Sequence, residues 1–167
     1  MLPLNRTRHD SHGSGLMKPV VQEEISGCGI ASVAALAGLS YQEARTVAHS
    51  LGIFAADSGL WSDTHYVRIL LKQFGFSASE GETPFSSWNE LPDLALLSIK
   101  WHLENGRQFW HWVVFSRGQN GPVVLDSKKS LRTNMRTDFW RIKPKWFIPV
   151  VDVLTHKVKA PVTPDPR

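Results

Sequence analysis

Cysteine is almost absent from this sequence, since Cys28 is the only one among 167 residues. A single thiol excludes an internal disulfide, so the folded state depends on its apolar core. Long hydrophobic runs are also missing: each apolar stretch is interrupted within about ten residues, whereas a membrane-spanning helix needs roughly 20. The first twenty residues carry charge and glycine where a secretory signal peptide is apolar. These absences favour a cytoplasmic protein without a membrane-spanning segment.

Hydrophobic residues make up 42% of the chain and charged residues 20%, which is typical of a globular domain and excludes a fibrous or disordered protein. The length suits one domain with a substantial core. Polar sequence at the start and three prolines among the last seven residues mark the two ends. We therefore predict a flexible N-terminal tail at residues 1–17, one domain at residues 18–155 and a C-terminal tail at residues 156–167.

The apolar periodicity changes from helical to extended along the chain. Asn105-Gly106 is a strong signal for a two-residue hairpin turn between the first two extended segments. Helices followed by a mainly antiparallel sheet predict an α+β fold, with the helices packed on the sheet. The predicted helices cover residues 28–37, 41–51 and 62–74. The predicted strands cover residues 93–101, 108–115, 122–126 and 146–153.

Cys28 lies between Gly27 and Gly29, directly before a run of small apolar residues that is predicted to be helical. The first N–H groups of a helix and the positive end of its dipole favour a thiolate and can hold an oxyanion. We interpret the flanking glycines as allowing a sharp turn and the close approach of a substrate. The alternative is a structural cysteine, because a lone cysteine is usually a buried core residue. The position favours a nucleophile at a helix N-terminus.

His111 and Asp126 are candidates for the groups that activate this thiol. His111 lies in the middle of a strand with two apolar faces, which would hold an imidazole rigidly. Asp126 ends the next strand, and pairing of the two strands would place its carboxylate beside the imidazole. Gln22, six residues before Cys28, is a candidate for an amide that completes an oxyanion hole with the Cys28 N–H. The ordinary alternatives are a core histidine, a turn-forming aspartate and an exposed glutamine.

Other histidines compete poorly for the same role, because none has a carboxylate so well placed on a neighbouring strand. His102, at the end of the strand opposite His111, is the main rival. Paired cysteine and histidine spacings of the kind that zinc requires are missing, and His9 and His12 lie in the predicted N-terminal tail. The sequence therefore indicates neither a metal nor another cofactor.

Seven tryptophans and a local excess of positive charge leave open a different class of function. Aromatic rings set among cations can stack the bases of a single-stranded nucleic acid. Basic loops are more often simply solvated, and most of the tryptophans fall in patterns that predict burial. A nucleic acid is therefore the less favoured partner. Between residues 128 and 145 the only acidic residue is Asp138. The cations of this segment are Lys128, Lys129, Arg132, Arg136, Arg141, Lys143 and Lys145.

The ordered set of Gln22, Cys28, His111 and Asp126 resembles the papain-like cysteine peptidases. Within that clan the chain is most similar to the bacteriocin-processing peptidases that remove double-glycine leader peptides, and to their stand-alone relatives. Those enzymes have a glutamine six residues before a Cys-Gly pair that opens an alanine-rich helix. They then have a histidine followed by valines, as in "HWVVF" here, and an aspartate that closes the next strand. The similarity spans about residues 18–150.

The resemblance implies a papain-like peptidase domain over residues 18–155 and a bacterial thiol protease that needs no cofactor. It implies that Cys28 attacks a peptide carbonyl, that His111 transfers protons and that Asp126 orients the imidazole. Gln22 and the Cys28 N–H would then hold the oxyanion.

Two departures from the family pattern leave the leader-peptide specificity open. Gly27 stands where the family often has aspartate, and Ser127 stands where it often has proline. The same catalytic groups would also serve an amidase, a transpeptidase or a toxin-like effector, so these remain alternatives. The resemblance implies a peptide or protein substrate, while the sequence indicates neither the substrate-binding residues nor the oligomeric state.

Overall fold

The structure, a computed structural model, describes residues 17–156; the predicted tails lie outside the described residues apart from Met17 and His156. None of its helices is long and apolar enough to cross a membrane. Short 3₁₀ turns lie at Ser58–Ser62, Trp88–Glu90 and Phe139–Arg141. The helices are α1 (Cys28–Ala37), α2 (Tyr41–Ser50), α3 (His65–Gln73) and α4 (Val153–His156). The strands are β1 (Phe76–Ala78), β2 (Thr83–Pro84), β3 (Leu94–Glu104), β4 (Arg107–Gly118), β5 (Gly121–Leu125), β6 (Met135–Arg136) and β7 (Trp146–Asp152).

The described strands form one antiparallel sheet in the order β1-β7-β3-β4-β5-β6, and β2 pairs with β7 outside this order. The longest strands, β3 and β4, lie side by side in the middle of the sheet. Three helices precede the first strand along the chain. This arrangement confirms the predicted α+β fold, with N-terminal helices on a mainly antiparallel sheet.

The sequence explains where the first helices begin and end. All ten residues of α1 are buried, because small apolar side chains let this helix run through the middle of the domain. Gly38, with a φ of 70°, ends it in the left-handed conformation that favours glycine. The Ser40 hydroxyl accepts from the Glu43 N–H and the Glu43 carboxylate accepts from the Ser40 N–H, so α2 begins with a capping box. The third helix begins at His65 rather than near residue 62, because the preceding residues form a separate 3₁₀ turn.

The sheet divides the apolar core into two clusters. Trp110, Trp112 and Val114 of β4 belong to the cluster that contains α1 and α3. Val113 and Phe115 belong to a second cluster, which also contains residues of β3 and β7. Because successive strand residues point to opposite faces, β4 is packed on both sides at its centre, as its sequence predicts.

The hairpin of β3 and β4 sets the position of His111. Asn105 and Gly106 form its turn with φ values of 50° and 78°, the left-handed values that the two-residue turn requires. Between Ile99 and His102 of β3 the pairing changes register, so that two residues of β3 face one residue of β4. Such a bulge re-aims neighbouring side chains. Next to this bulge, Ile99 pairs with His111.

The hairpin turn offers a direct test of backbone strain. Gly106→Ala is expected to lower the free energy of unfolding by about 1 kcal/mol, because a Cβ makes the left-handed conformation unfavourable. A Cβ at this position would meet no atom within 4 Å, so steric crowding does not contribute. Gly81→Ala is the control, since that site is equally open and its φ is not positive. Urea unfolding of both variants measures the difference, and equal stabilities would contradict the expectation.

Candidate active site

Three separate elements bring a sulfur, an imidazole and a carboxylate together. Cys28 is the first residue of α1, His111 lies in β4, and Asp126 directly follows β5. The Nε2 atom of His111 lies 2.7 Å from Oδ1 of Asp126. The side chain of Cys28 lies near the same imidazole and helps to raise its pKa. Because Nε2 faces the carboxylate, Nδ1 is the ring nitrogen that remains for the sulfur.

Asp126 is 1% exposed, and each of its polar groups has a partner. Oδ1 also accepts from the Lys128 N–H at 3.2 Å, and Oδ2 accepts from Nη1 of Arg136 at 3.0 Å. The backbone N–H and carbonyl of Asp126 bond to Asn134. Burial raises the pKa of the Asp126 carboxyl, but the hydrogen bonds and positive charge around it more than offset this and lower the pKa. The group is therefore a carboxylate at neutral pH.

Arg136 contacts the site but was not among the predicted site residues. The sequence analysis had placed it only in the basic segment at residues 128–145. Its guanidinium bonds to Asp126 and also forms a two-point contact with Asp138, at 3.0 and 2.9 Å. The side chain is 15% exposed. The presence of Asp138 two residues after Arg136, just beyond the end of β6, was the one local signal of a paired arginine. Arg136 is thus held inside an ion-pair network and is not a free cation for a nucleic acid.

His111 carries a raised pKa of about 9. Burial acts in the opposite direction, since it disfavours the charged ring, but the hydrogen bond and negative charge of Asp126, together with the nearby Cys28 side chain, outweigh it. The imidazole is therefore protonated at neutral pH. A protonated imidazole beside a sulfur stabilises the thiolate form.

The thiol of Cys28 is covered in this conformation, with a relative exposure of 1%. The turn Ser58–Ser62 lies between the loop before Cys28 and the strand that carries His111. From this turn, the Trp61 indole donates to the Ile25 carbonyl at 3.3 Å, and its ring meets that of Phe109 edge-on at 6.4 Å. Trp61 thus bridges the two sides of the site.

The glycines beside Cys28 accommodate two tyrosines. A turn does precede Cys28, since the Gly27 N–H donates to the Glu24 carbonyl at 3.0 Å, but neither glycine has a positive φ, so the turn itself does not require glycine. A Cβ on Gly27 would overlap the Tyr41 hydroxyl, and a Cβ on Gly29 would overlap the Tyr66 hydroxyl. The observed reason for glycine here is therefore the close packing of aromatic side chains against the start of α1.

Gln22 is buried in the loop that leads to Cys28, and its amide is fully engaged. Nε2 donates to the carbonyls of Glu24 and Ile25 at 3.0 and 2.9 Å, and Oε1 accepts from the Ser127 hydroxyl at 2.7 Å. Its backbone N–H also donates to the Ser127 carbonyl. Since an amide NH₂ has two protons, an oxyanion could be held only after one of these bonds is released. No local sequence pattern pointed to Ser127 as the partner of Gln22.

The rival histidine lies outside the site. The ring of His102 is exposed, bonds to the Lys100 carbonyl and to the Glu104 carboxylate, and stacks on Phe109. Within the described part of the chain, no group of three or more potential metal-ligating side chains comes together.

Comparison with known proteins supports the fold and leaves the family open. No protein-family model matches the chain, and no curated protein matches it. One solved structure matches with a TM-score of 0.53 and 16% sequence identity. The match covers 84% of this chain and 94% of the chain in that structure. It is a double glycine motif protease from an AMS/PCAT transporter, crystallised in complex with the leader peptide. The chain therefore has the fold of a papain-like cysteine peptidase domain.

Removing the carboxylate beside His111 is expected to return the pKa of this histidine from about 9 toward 6.5. Asp126→Asn keeps the side-chain shape but removes the charge that stabilises the imidazolium. The pKa of His111 is higher in the folded state than in the unfolded state. Protonation of His111 therefore stabilises the fold fully below pH 6.5, and this contribution disappears as the pH rises through 9. NMR titration of the histidine ring protons measures the pKa, and urea unfolding at both pH values measures the stability.

Asp138→Asn is the matched control, because Asp138 shares Arg136 with Asp126 but does not contact His111. The pKa of His111 is expected to change much less in this variant. An equal decrease in both variants would show that general charge, rather than the direct hydrogen bond, raises the pKa.

Gly29→Ala is expected to destabilise the protein by roughly 2 kcal/mol, because the new methyl group overlaps the buried Tyr66 hydroxyl. Among the described residues this hydroxyl has no partner in good hydrogen-bonding geometry. Tyr66→Phe is therefore expected to lose little stability. In that background Gly29→Ala is expected to lower the free energy of unfolding by a smaller amount. Unfolding of both single variants and the double variant completes the cycle; strictly additive effects would contradict the proposed contact.

Proposed function

We propose that this chain is a cysteine peptidase in which Cys28, His111 and Asp126 act as nucleophile, proton carrier and orienting group. The observation that carries the proposal is the approach of three side chains from separate elements: the Cys28 side chain lies near the His111 imidazole, which bonds to the Asp126 carboxylate at 2.7 Å. The papain-like fold supports it, because the structural neighbour with this fold is a protease.

In the first half of the reaction, the Cys28 thiolate attacks the carbonyl carbon of a peptide bond and forms a C–S bond, and negative charge moves to the carbonyl oxygen. The His111 imidazolium then gives its proton to the amide nitrogen. The C–N bond breaks, the amine leaves, and an acyl group remains on Cys28 as a thioester. The raised pKa of His111 suits this role, since the ring is already protonated when the substrate arrives.

The N-terminus of α1 supplies the oxyanion donor. The Cys28 N–H has no acceptor among the described residues, and it belongs to the unpaired first turn of a buried helix. Gln22 becomes the second donor if substrate binding frees one proton of its amide from the Glu24 or Ile25 carbonyl. Because Gln22 also anchors the loop through Ser127, we expect Gln22→Ala to affect both turnover and local stability.

In the second half, neutral His111 takes a proton from water while the water oxygen attacks the thioester carbon. The C–S bond breaks, the carboxylic acid leaves, and the thiolate–imidazolium pair is restored. Asp126 keeps the ring in one orientation and stabilises its charged form throughout. Arg136 in turn holds the carboxylate from its other oxygen.

We propose a peptide or protein as the substrate, with processing of a leader peptide as its specific form. The support is the structural neighbour, which was crystallised with a leader peptide. A nucleic-acid-binding role is disfavoured, because Arg136 is ion-paired and Trp110 and Trp112 are buried in the core. Trp140 is 77% exposed, but one ring is a poor platform for successive bases.

Alkylation of Cys28 by iodoacetamide at pH 6 tests the activated nucleophile. Wild type is expected to react, and His111→Ala to react at least about tenfold more slowly, because the imidazolium that stabilises the thiolate is lost. His102→Ala is the control, since it also removes an imidazole but lies outside the site. Intact-mass spectrometry measures the rate. The comparison is repeated in a Trp61→Ala background, which removes the side chain that bridges the two sides of the site.

Hydrolysis is measured in parallel with synthetic peptides that contain an internal Gly-Gly pair, using mass spectrometry to identify the products. Cleavage by wild type and its loss in Cys28→Ala are the expected results. A thiol whose alkylation does not depend on His111, in either background, would make Cys28 a structural residue and end the peptidase proposal.

A further inference from the structure

An open cleft with a volume of about 420 Å³ lies beside the candidate active site, between the β3 bulge and the segment that leads into β7. We call it the basic groove. Its polar and aromatic lining consists of Lys100, Trp101, Arg136, Arg141, Lys143 and Lys145.

The basic groove carries an excess of positive charge. Five of its lining residues are cations and none is a carboxylate. Arg136 is neutralised by Asp126 and Asp138, and Asp138 also acts on Arg141. Within residues 17–155, by contrast, no carboxylate forms an ion pair with Lys143 or Lys145, nor with Lys100. The surface is therefore complementary to an anion.

Lys100 reaches the groove through an unfavourable backbone conformation. It has a φ of 53°, a left-handed value that residues with a Cβ rarely adopt, and it lies in the β3 bulge. Burial and the nearby charge of Lys128 lower the pKa of its ammonium group. Strained residues of this kind are concentrated at functional sites. An anion in the groove would relieve the crowding of positive charges.

A second lysine is held in place by an aromatic ring. The ammonium nitrogen of Lys145 lies 4.5 Å from the centre of the Trp101 ring, within the range of a cation–π interaction. The backbone of Lys145 is anchored as well, because its N–H donates to the Ser98 carbonyl at 2.9 Å. The groove thus offers at least one pre-ordered cation, rather than only mobile surface lysines.

The basic groove adjoins the catalytic groups on two sides. Ile99, the residue before Lys100, pairs with His111 across the hairpin. Arg136, in the wall of the groove, contacts the Asp126 carboxylate. The wall of the groove is therefore in contact with both residues that would activate Cys28, namely His111 and Asp126.

We propose that the basic groove binds an acidic segment of the peptide substrate, so that aspartate or glutamate side chains near the scissile bond select the substrate. This inference rests on the proposed peptidase function. A peptide fits better than a nucleic acid, because Lys145 already occupies one face of Trp101, which is the one aromatic residue in the lining. Successive bases therefore have no series of free rings on which to stack there.

Binding is tested on the full chain carrying Cys28→Ala, so that the probe is not consumed. The probe is fluorescein-labelled hexaglutamate, measured by fluorescence anisotropy at low salt. Lys143→Gln and Lys145→Gln are each expected to weaken its binding about fivefold, because each removes a cation from the groove. Lys72→Gln is the matched control, since this lysine is exposed on α3, and its effect is expected to be less than about twofold.

Three results would contradict the proposal that the basic groove binds an acidic peptide segment. Equal weakening by Lys72→Gln would indicate diffuse attraction to the whole basic protein. Equal binding of labelled hexaglutamine would show that charge is not recognised. Tighter binding of a six-residue oligothymidylate that depends on Lys143 and Lys145 would assign the surface to a nucleic acid.

The link to catalysis is tested separately with two peptides that differ only by glutamate or glutamine beside an internal Gly-Gly pair. Lys143→Gln is expected to raise KM for the glutamate peptide several-fold more than for the glutamine peptide. If wild type cleaves neither peptide while hexaglutamate still binds through the groove, the peptidase function fails and the anion site remains. If both peptides are cleaved with equal KM and hexaglutamate does not bind, the proposed role of the groove in substrate selection is wrong, while the peptidase function is supported.

Discussion

A buried carboxylate governs the arrangement of the candidate site. Asp126 is almost completely removed from water, and an unpaired charge there would be strongly destabilising. Its oxygens accept from His111, from the Lys128 N–H and from Arg136, while Asn134 binds its backbone. The loop after β5 therefore folds around this one group. The His111 ring is oriented as a consequence of satisfying that charge.

The two loops that carry the reactive groups are also tied to each other. Gln22, before the nucleophile, bonds through its side chain and its backbone to Ser127, directly after the buried carboxylate. These residues are 105 positions apart in the chain. Displacement of either loop would therefore disturb the other. The tyrosines packed against Gly27 and Gly29 hold the start of α1 from its other side, so the sulfur occupies a tightly packed position.

Several features could be predicted because their causes are local. The apolar run after Cys28 produces a helix that Gly38 ends, and Asn105-Gly106 produces the central hairpin. The meeting of His111 and Asp126 followed from hairpin pairing of adjacent strands, which is also nearly local. The orientation of Gln22 was not predictable, since it depends on carbonyls and a hydroxyl that only the folded loop brings together. Arg136 was assigned to a solvated basic segment, because its pairing with Asp126 needs the register of β5 and β6.

The sequence by itself determined the α+β class, the helix that begins at Cys28 and the order of the chemically active residue types. Periodicity, capping residues and turn residues act over a few positions, so their effects can be read along the chain. Only the tertiary structure decided that Cys28 is buried, that the neighbouring glycines make room for tyrosines and that cations gather beside the site. Each of these depends on contacts between distant segments, where packing and electrostatics override the preferences of any short stretch of sequence.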